Sequence, residues 1–103
     1  MGREITKKET ALRKLENHSL NLTYLSAELC NDKEIILKAV RQNGKNLLFA
    51  SKELCNDKEI VMEAVRQNGN SLCYASKEMR NNEDIIFEAK KQLNLQQSKK
   101  SAI

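Results

Sequence analysis

The sequence contains no proline and no tryptophan, and it has only three glycines, one histidine and four aromatic residues among 103 positions. A many-stranded sandwich or barrel needs turn signals about every 8–12 residues, so the shortage of turn-forming residues disfavours that class. No apolar run approaches the ~18–20 residues of a transmembrane helix, and no signal peptide is recognisable. With 40% hydrophobic and 31% charged residues, the chain is expected to form one soluble domain.

The charge is small and unevenly distributed. The formal net charge is +4, yet residues 22–96 contain 11 basic and 11 acidic residues, so the excess lies at the two ends. A protein that grips phosphate backbones usually concentrates lysine and arginine on its folded surface. This distribution therefore makes nucleic-acid binding the weaker expectation.

Few residues are available for metal or cofactor chemistry. Cys30, Cys55 and Cys73 are odd in number and widely spaced, and His18 is the only histidine. Zinc ligands normally come in pairs a few residues apart, so no metal site is expected, and the thiols are expected to be reduced, as in a cytoplasmic protein. The three glycines are too scattered for a phosphate-binding loop, so no cofactor is expected.

A repeat of 25 residues organises the chain. Three full units span 22–46, 47–71 and 72–96, and the first two are identical at 16 of 25 positions. Residues 9–21 align with 34–46, which indicates a worn half-unit. The sequence therefore predicts an N-terminal capping helix within 1–21, three tandem repeats over 22–96, and a flexible polar tail at 97–103.

Each unit is predicted to be a helical hairpin. In the middle unit, apolar residues at helical spacing favour a first helix over 47–54, and a second stripe follows from Asn56 or Asp57. Two such helices cannot bury both their faces alone, but stacked neighbours can. The predicted fold class is therefore all-α, a short solenoid-like stack of three 25-residue helical hairpins with an N-terminal capping helix.

Local signals suggest where these helices begin and end. Asn46 and Ser71 precede the first helices of the second and third units and are predicted N-caps. The Asp-Lys-Glu clusters that begin at Asp32 and Asp57 are interpreted as capping groups for the second helices, rather than as acid–base chemistry. Gly69 follows the second helix of its unit, and it is predicted to adopt the left-handed C′ conformation.

Two polar columns recur once per unit near the ends of the second helices. Because equivalent residues in a stack lie about 10 Å apart, they could present a ladder of donors to an acidic partner surface. The alternative is that they only complement the negative helix ends. The candidate partner-binding residues in these columns are Arg41, Arg66, Lys91, Gln42, Gln67 and Gln92.

An apolar column and an aromatic column also recur. The apolar column is Leu37, Met62 and Phe87, and it either fills the layer between repeats or forms an exposed strip that marks a protein interface. The aromatic column is Tyr24, Phe49 and Tyr74, for which packing in the core is the expectation. If these rings face a groove instead, Tyr24 and Tyr74 become candidate anchors for a partner.

The unit A-S-x-E-L-x-x-D-K-E-I-V-x-x-A-V-x-x-N-G, best preserved over 50–69 and then over 25–44, resembles a family of helical-hairpin tandem repeats with no established general function. The third unit departs from this pattern at Arg80, Asn82, Glu83, Asp84, Lys90 and Asn94. Such repeats occur among the secreted effector proteins of bacteria that live inside eukaryotic cells. In size and character the chain looks similar to one small all-helical effector of such bacteria, an inhibitor of two related ubiquitin-targeting enzymes, a deamidase and a transglutaminase.

These observations favour a protein that is not an enzyme and that binds a protein partner. The resemblance implies an inhibitor that covers the substrate site of such an enzyme, in the cytoplasm or, after secretion, in a host cytosol. An RNA-binding repeat protein is the main alternative, because helical repeats can read bases with a few side chains each. A cysteine nucleophile at Cys30 or Cys55 is a third hypothesis, and pairing of two copies through an imperfectly capped end is also possible.

Overall fold

The computed structural model describes residues 7–18 and 20–101, with the side chains of this range up to Asn94. The α-helices are α1 (Lys8–Glu16), α2 (Ala27–Cys30), α3 (Lys33–Gln42), α4 (Lys58–Gln67), α5 (Lys77–Arg80) and α6 (Glu83–Ser101). The 3-10 helices are Leu22–Tyr24, Gly44–Phe49, Leu54–Asn56 and Gly69–Tyr74. Over these ranges the chain contains no β-strand, which confirms the predicted all-α class. No helix described here is long and apolar enough to cross a membrane.

The long helices stack side by side in chain order. Helices α1, α3, α4 and α6 begin at Lys8, Lys33, Lys58 and Glu83, one repeat apart, and each contacts the next. Helix α3 shows why: Ile35 faces a core shared with Leu15 of α1, and Ile36 faces a core shared with Ile60 of α4. Each inner helix therefore buries two adjacent faces, as the repeat requires.

The prediction that the first segment of each hairpin is a single helix is wrong. The segment 47–54 is not one α-helix, since a 3-10 helix over Gly44–Phe49 ends before Ser51 and a second one follows over Leu54–Asn56. The amide of Ser51 donates to the carbonyl oxygen of Cys30 in the preceding unit at 2.9 Å, and Ser76 repeats this bond to Cys55. An amide used between units cannot continue a helix within its own unit.

The predicted caps are partly right. Asp32 and Asp57 accept hydrogen bonds from the amides of Ile35 and Ile60, so they cap α3 and α4 as expected. The prediction of Asn46 and Ser71 as N-caps is wrong, because Asn43 and Asn68 cap the 3-10 helices that begin earlier, at Gly44 and Gly69.

The glycines serve close packing rather than left-handed backbone. Neither Gly44 nor Gly69 has a φ angle in the left-handed region, so the prediction for Gly69 is wrong. A Cβ at Gly44 would lie 2.3 Å from the carbonyl oxygen of Ala64 in α4. At Gly69 it would lie 2.6 Å from the carbonyl oxygen of Ala89 in α6. Each glycine thus lets one unit approach the backbone of the next helix.

At the two ends of the chain, only part of each predicted segment lies within the described residues. The backbone of α6 is helical to Ser101, so residues 97–101 of the predicted tail are helical. The mobility of that tail stays a prediction, and residues 102–103 lie outside the described residues. Within the predicted N-terminal capping segment, α1 buries Ala11 and Leu15, while residues 1–6 and Ser19 also lie outside the described residues.

Asn46 and Ser71 occupy the same repeat position but differ in their hydrogen bonds. The Asn46 side-chain amide donates to the carbonyl oxygen of Ala39 at 2.8 Å, whereas the Ser71 hydroxyl is fully buried with no hydrogen-bond partner among the described residues. We expect Ser71→Ala to raise the free energy of unfolding by up to about 1 kcal/mol, because it removes an unsatisfied buried group. Asn46→Ala is expected to lower it by about 1 kcal/mol. Urea unfolding of both variants checks this, and a loss of stability in Ser71→Ala would contradict it.

Candidate functional site

The strongest candidate for a functional surface is the side of the long helices that carries the predicted apolar and basic columns. We call the surface formed by Leu37, Arg41, Met62, Arg66 and Phe87 the ladder face. Within it, a groove of about 540 Å³ runs between α3 and α4 and is lined by Leu37, Met62 and charged side chains. The structure therefore brings four of the nine predicted partner-binding residues, the two arginines with Leu37 and Met62, to one groove.

The apolar column of the ladder face is only partly buried. Leu37 and Met62 are half-buried and pack against the core of the second and third units. Phe87, the equivalent residue of α6, is 72% exposed. The column is thus divided: the first two residues fill a layer between helices, and Phe87 presents an aromatic ring to solvent. Its use as a protein interface stays a prediction.

The N-terminal ends of the long helices are joined by a lysine ladder that sequence reasoning did not find. The Nζ atom of Lys8 lies 3.1 Å from Oδ2 of Asp32 and 2.9 Å from Oε1 of Glu34. One repeat later, Lys33 lies 3.1 Å from Asp57 and 2.7 Å from Glu59. These separations of 24 and 26 residues straddle the 25-residue period, which is the signal that could have revealed the ladder.

The lysine ladder continues to α6 and sets the protonation of its members. Lys58 bonds to Asp84 at 2.8 Å, and this hydrogen bond lowers the pKa of Asp84. Burial alone would raise the pKa of Asp57, but hydrogen bonds from Lys33 and from the Ile60 amide outweigh it, so that pKa is lowered. Hydrogen bonds to Glu59 and then Asp57 raise the pKa of Lys33. These shifts favour the charged forms of Lys33, Asp57 and Asp84.

The predicted arginines are held by a second ladder at the other ends of the helices. The Nε atom of Arg41 lies 3.8 Å from Glu63, and that of Arg66 lies 3.8 Å from Glu88. Such long, exposed pairs contribute little stability, but they place a carboxylate beside each guanidinium. Lys91 is exposed and has no carboxylate partner within the described part of the chain.

The predicted glutamine column is already engaged within the protein. The Gln42 side-chain amide donates to the carbonyl oxygen of Leu15 at 2.6 Å, at the end of α1. Gln67 and Gln92 donate to the glutamates four residues before them, at 3.5 and 3.0 Å. These amides are therefore bonded within the protein and are not included in the ladder face.

The aromatic column lies at the ends of the 3-10 helices Leu22–Tyr24, Gly44–Phe49 and Gly69–Tyr74, whereas the ladder face lies on the long α-helices. Tyr74 and Phe49 are half-buried against the two cores, and Tyr24 is 39% exposed. Tyr74 also borders a shallow groove of about 350 Å³ with Lys52 and Cys55. The rings thus belong mainly to the core, with one edge of Tyr74 available at a groove.

The cysteines lack the features of an activated nucleophile. Burial raises the pKa of the Cys30 thiol and that of the Cys55 thiol, which favours the neutral, unreactive form. Cys30 lies near the carbonyl oxygen of Leu25 and Cys55 near that of Leu47. Both thiols therefore pack as small side chains at the junctions between units.

These features define a short helical repeat protein with one face of mixed apolar and charged character. The chain belongs to the family described as Domain of unknown function (DUF4116), whose model matches residues 7–55, 34–80 and 57–94 in three overlapping copies. The overlapping matches agree with the tandem repeat seen in the structure. Neither the curated proteins nor the solved structures contain a match to the chain.

Proposed function

We propose that this protein is a non-enzymatic binding module that docks its ladder face on a partner enzyme and blocks the partner's substrate site. The observation that carries the proposal is the exposure of Phe87, which stands one period after Met62 and two after Leu37. Large aromatic side chains dominate the energetics of protein interfaces, and they are costly to leave in water.

The surroundings of Phe87 suit a protein partner. Leu37 and Met62 extend the apolar strip along a groove, and charged side chains flank it on both sides. An interface of this kind has an apolar centre and a polar rim. Two cations that line the groove, Arg41 and Lys58, each pair with a carboxylate of the neighbouring helix, which restricts their side chains before a partner arrives.

The same pairing weakens the case for RNA. Lys8, Lys33 and Lys58 each contact at least one carboxylate, and so do Arg41 and Arg66. A phosphate backbone is bound by cations that are not neutralised by the protein itself. Filter binding at low and high salt distinguishes the two functions, because strong binding that falls steeply with salt would favour RNA.

The more specific form of the proposal is inhibition of a bacterial ubiquitin-targeting deamidase or transglutaminase. It is supported by the resemblance of the repeat unit to those of secreted effectors. It requires an action in a cytosol, either of the bacterium or of a host cell. The partner contributes the chemistry, and this chain contributes only a shape that excludes ubiquitin.

The test is a titration of each purified enzyme with this protein, with ubiquitin modification as the measurement. We expect inhibition that saturates at a fixed ratio of the two proteins. Phe87→Ala is expected to weaken it by ~30-fold or more, as for a central aromatic anchor. Arg41→Glu combined with Arg66→Glu is expected to weaken it further by reversing two flanking charges.

Matched controls separate the ladder face from general effects. Leu48 is 59% exposed but lies in the 3-10 helix Gly44–Phe49, outside the ladder face, so Leu48→Ala is expected to inhibit like the original protein. Lys52→Glu combined with Lys77→Glu reverses two charges, as the double arginine variant does, but at residues outside the ladder face. It is therefore also expected to inhibit like the original protein. Full inhibition by both ladder-face variants would exclude the face, and no inhibition of either enzyme would exclude this class of partner.

A further inference from the structure

Within the described residues, the third unit leaves part of its packing surface uncovered. A groove of about 400 Å³ lies between the 3-10 helix Gly69–Tyr74 and α6, and most of its lining is apolar. We call its borders, Leu72, Arg80, Ile86, Lys90 and Leu93, the end face. This surface lies at the end of the stack, where a following unit would pack.

The repeat shows what such a surface does elsewhere in the molecule. Leu47 and Val61, which stand one period before Leu72 and Ile86, are fully buried because the next unit covers them. Leu72 and Ile86 are only half-buried. The end face therefore keeps large apolar side chains at Leu72 and Ile86, and these have no neighbouring unit within the described residues.

Among the described residues, the opposite end of the stack carries polar side chains at the equivalent positions. On its outer side α1 carries Thr10 and Lys14, where α3 carries the fully buried Ile35 and Ala39. A polar surface of this kind does not match an apolar groove. Head-to-tail stacking of copies is therefore disfavoured, and an end face is best matched by another end face.

Two charge changes in α6 make the end face complementary to itself. Lys58 of α4 donates a hydrogen bond to Asp84 of the following helix, α6. The equivalent position in α6, one period later, is Glu83. Lys90 replaces the buried Val65 on the side that faces the end. Because Glu83 and Lys90 are two turns apart on one side of α6, antiparallel pairing brings each Glu83 towards the Lys90 of the other copy. Parallel pairing would instead bring like charges together.

We propose that two copies of this protein associate through their end faces, with the two α6 helices antiparallel about a two-fold axis. Such a contact is isologous and closes as a dimer, since both end faces are consumed. The occupant of the groove is thus the α6 helix of a second copy, which takes the place of a following unit. In this pairing Phe87 lies opposite Ile86 of the other copy and borders the contact, whereas Leu37, Arg41, Met62 and Arg66 lie on α3 and α4, outside it. Sedimentation of this protein alone tests the dimer separately from the proposed function.

Sedimentation equilibrium over a range of protein concentrations tests the proposal under reducing conditions. We expect a reversible change from the 11.8 kDa monomer to a species of twice that mass. Glu83→Lys and Lys90→Glu each place like charges together and are expected to weaken the dimer at least tenfold. The double variant, with both changes, exchanges the charges and is expected to restore it.

The control is Lys91→Glu, which makes the same change of charge one residue away, off the end face, and is expected to leave the dimer unchanged. Cys73 provides a second measurement, because it is exposed and lines the groove. Its alkylation is expected to slow as the protein concentration rises. A monomer up to about 1 mM, larger assemblies, or a double variant no better than the single ones would each overturn the proposal.

Discussion

Replacing Gly44 with alanine is expected to lower the free energy of unfolding by about 2–3 kcal/mol, because the new Cβ has no room. It would lie 2.3 Å from the carbonyl oxygen of Ala64 and 2.8 Å from the hydroxyl oxygen of Ser71. The carbonyl belongs to the backbone of α4, so the whole unit has to move away. Thermal unfolding measures this as a fall in Tm of roughly 10–20 °C for a domain of this size.

Two further variants serve as comparisons for Gly44→Ala. Gly69→Ala meets the carbonyl oxygen of Ala89 and the side chain of Leu93. It is expected to cost less, because none of the described units packs on the outer side of α6 and that helix can shift. Lys45→Ala changes an exposed neighbour and is expected to stay within about 0.5 kcal/mol of the original. An unchanged Tm in Gly44→Ala would show that the units do not pack this closely.

Replacing Leu47 with alanine is expected to cost about 3 kcal/mol, because the side chain is fully buried between two units and leaves a cavity. The equivalent change in the last unit, Leu72→Ala, is expected to cost about 1 kcal/mol, because Leu72 is half-buried beside the open groove. Urea unfolding at low protein concentration, where any dimer has dissociated, measures both values.

The comparison of these two leucines is informative because their sequence positions are equivalent. Only the presence of a following unit distinguishes them. Equal costs at low concentration would show that the end face is covered within a single chain. A cost for Leu72→Ala that grows with protein concentration would agree with the proposed dimer.

Much of the fold follows from local sequence signals. The 25-residue period predicts equivalent helices, and α3 and α4 begin at equivalent residues with aspartate caps at Asp32 and Asp57. The apolar stripe Ile60, Val61, Ala64 and Val65 predicts the buried side of α4. Capping and amphipathic spacing act within one or two helical turns, so a single sequence displays them.

Contacts between units explain three features that the sequence did not predict. The amide of Ser51 bonds to Cys30 of the previous unit, which ends the 3-10 helix where an α-helix was predicted. Gly44 is required by the backbone of α4 and not by its own φ angle. The lysine of each Asp-Lys-Glu cluster bonds to the next unit, so its partner lies about one period away.

The candidate site also combines features that the sequence displays with features that only the structure shows. The columns of basic and apolar residues are visible in the sequence, because they repeat every 25 residues. Their accessibility is not visible there, and the same column holds the half-buried Leu37 and Met62 and the exposed Phe87. The sequence alone therefore determined the helical class, the repeat and which residues form columns, because these depend on periodicity and local hydrogen bonds. Only the tertiary structure decided which columns are paired, covered or exposed, because that depends on whether another helix lies against each face.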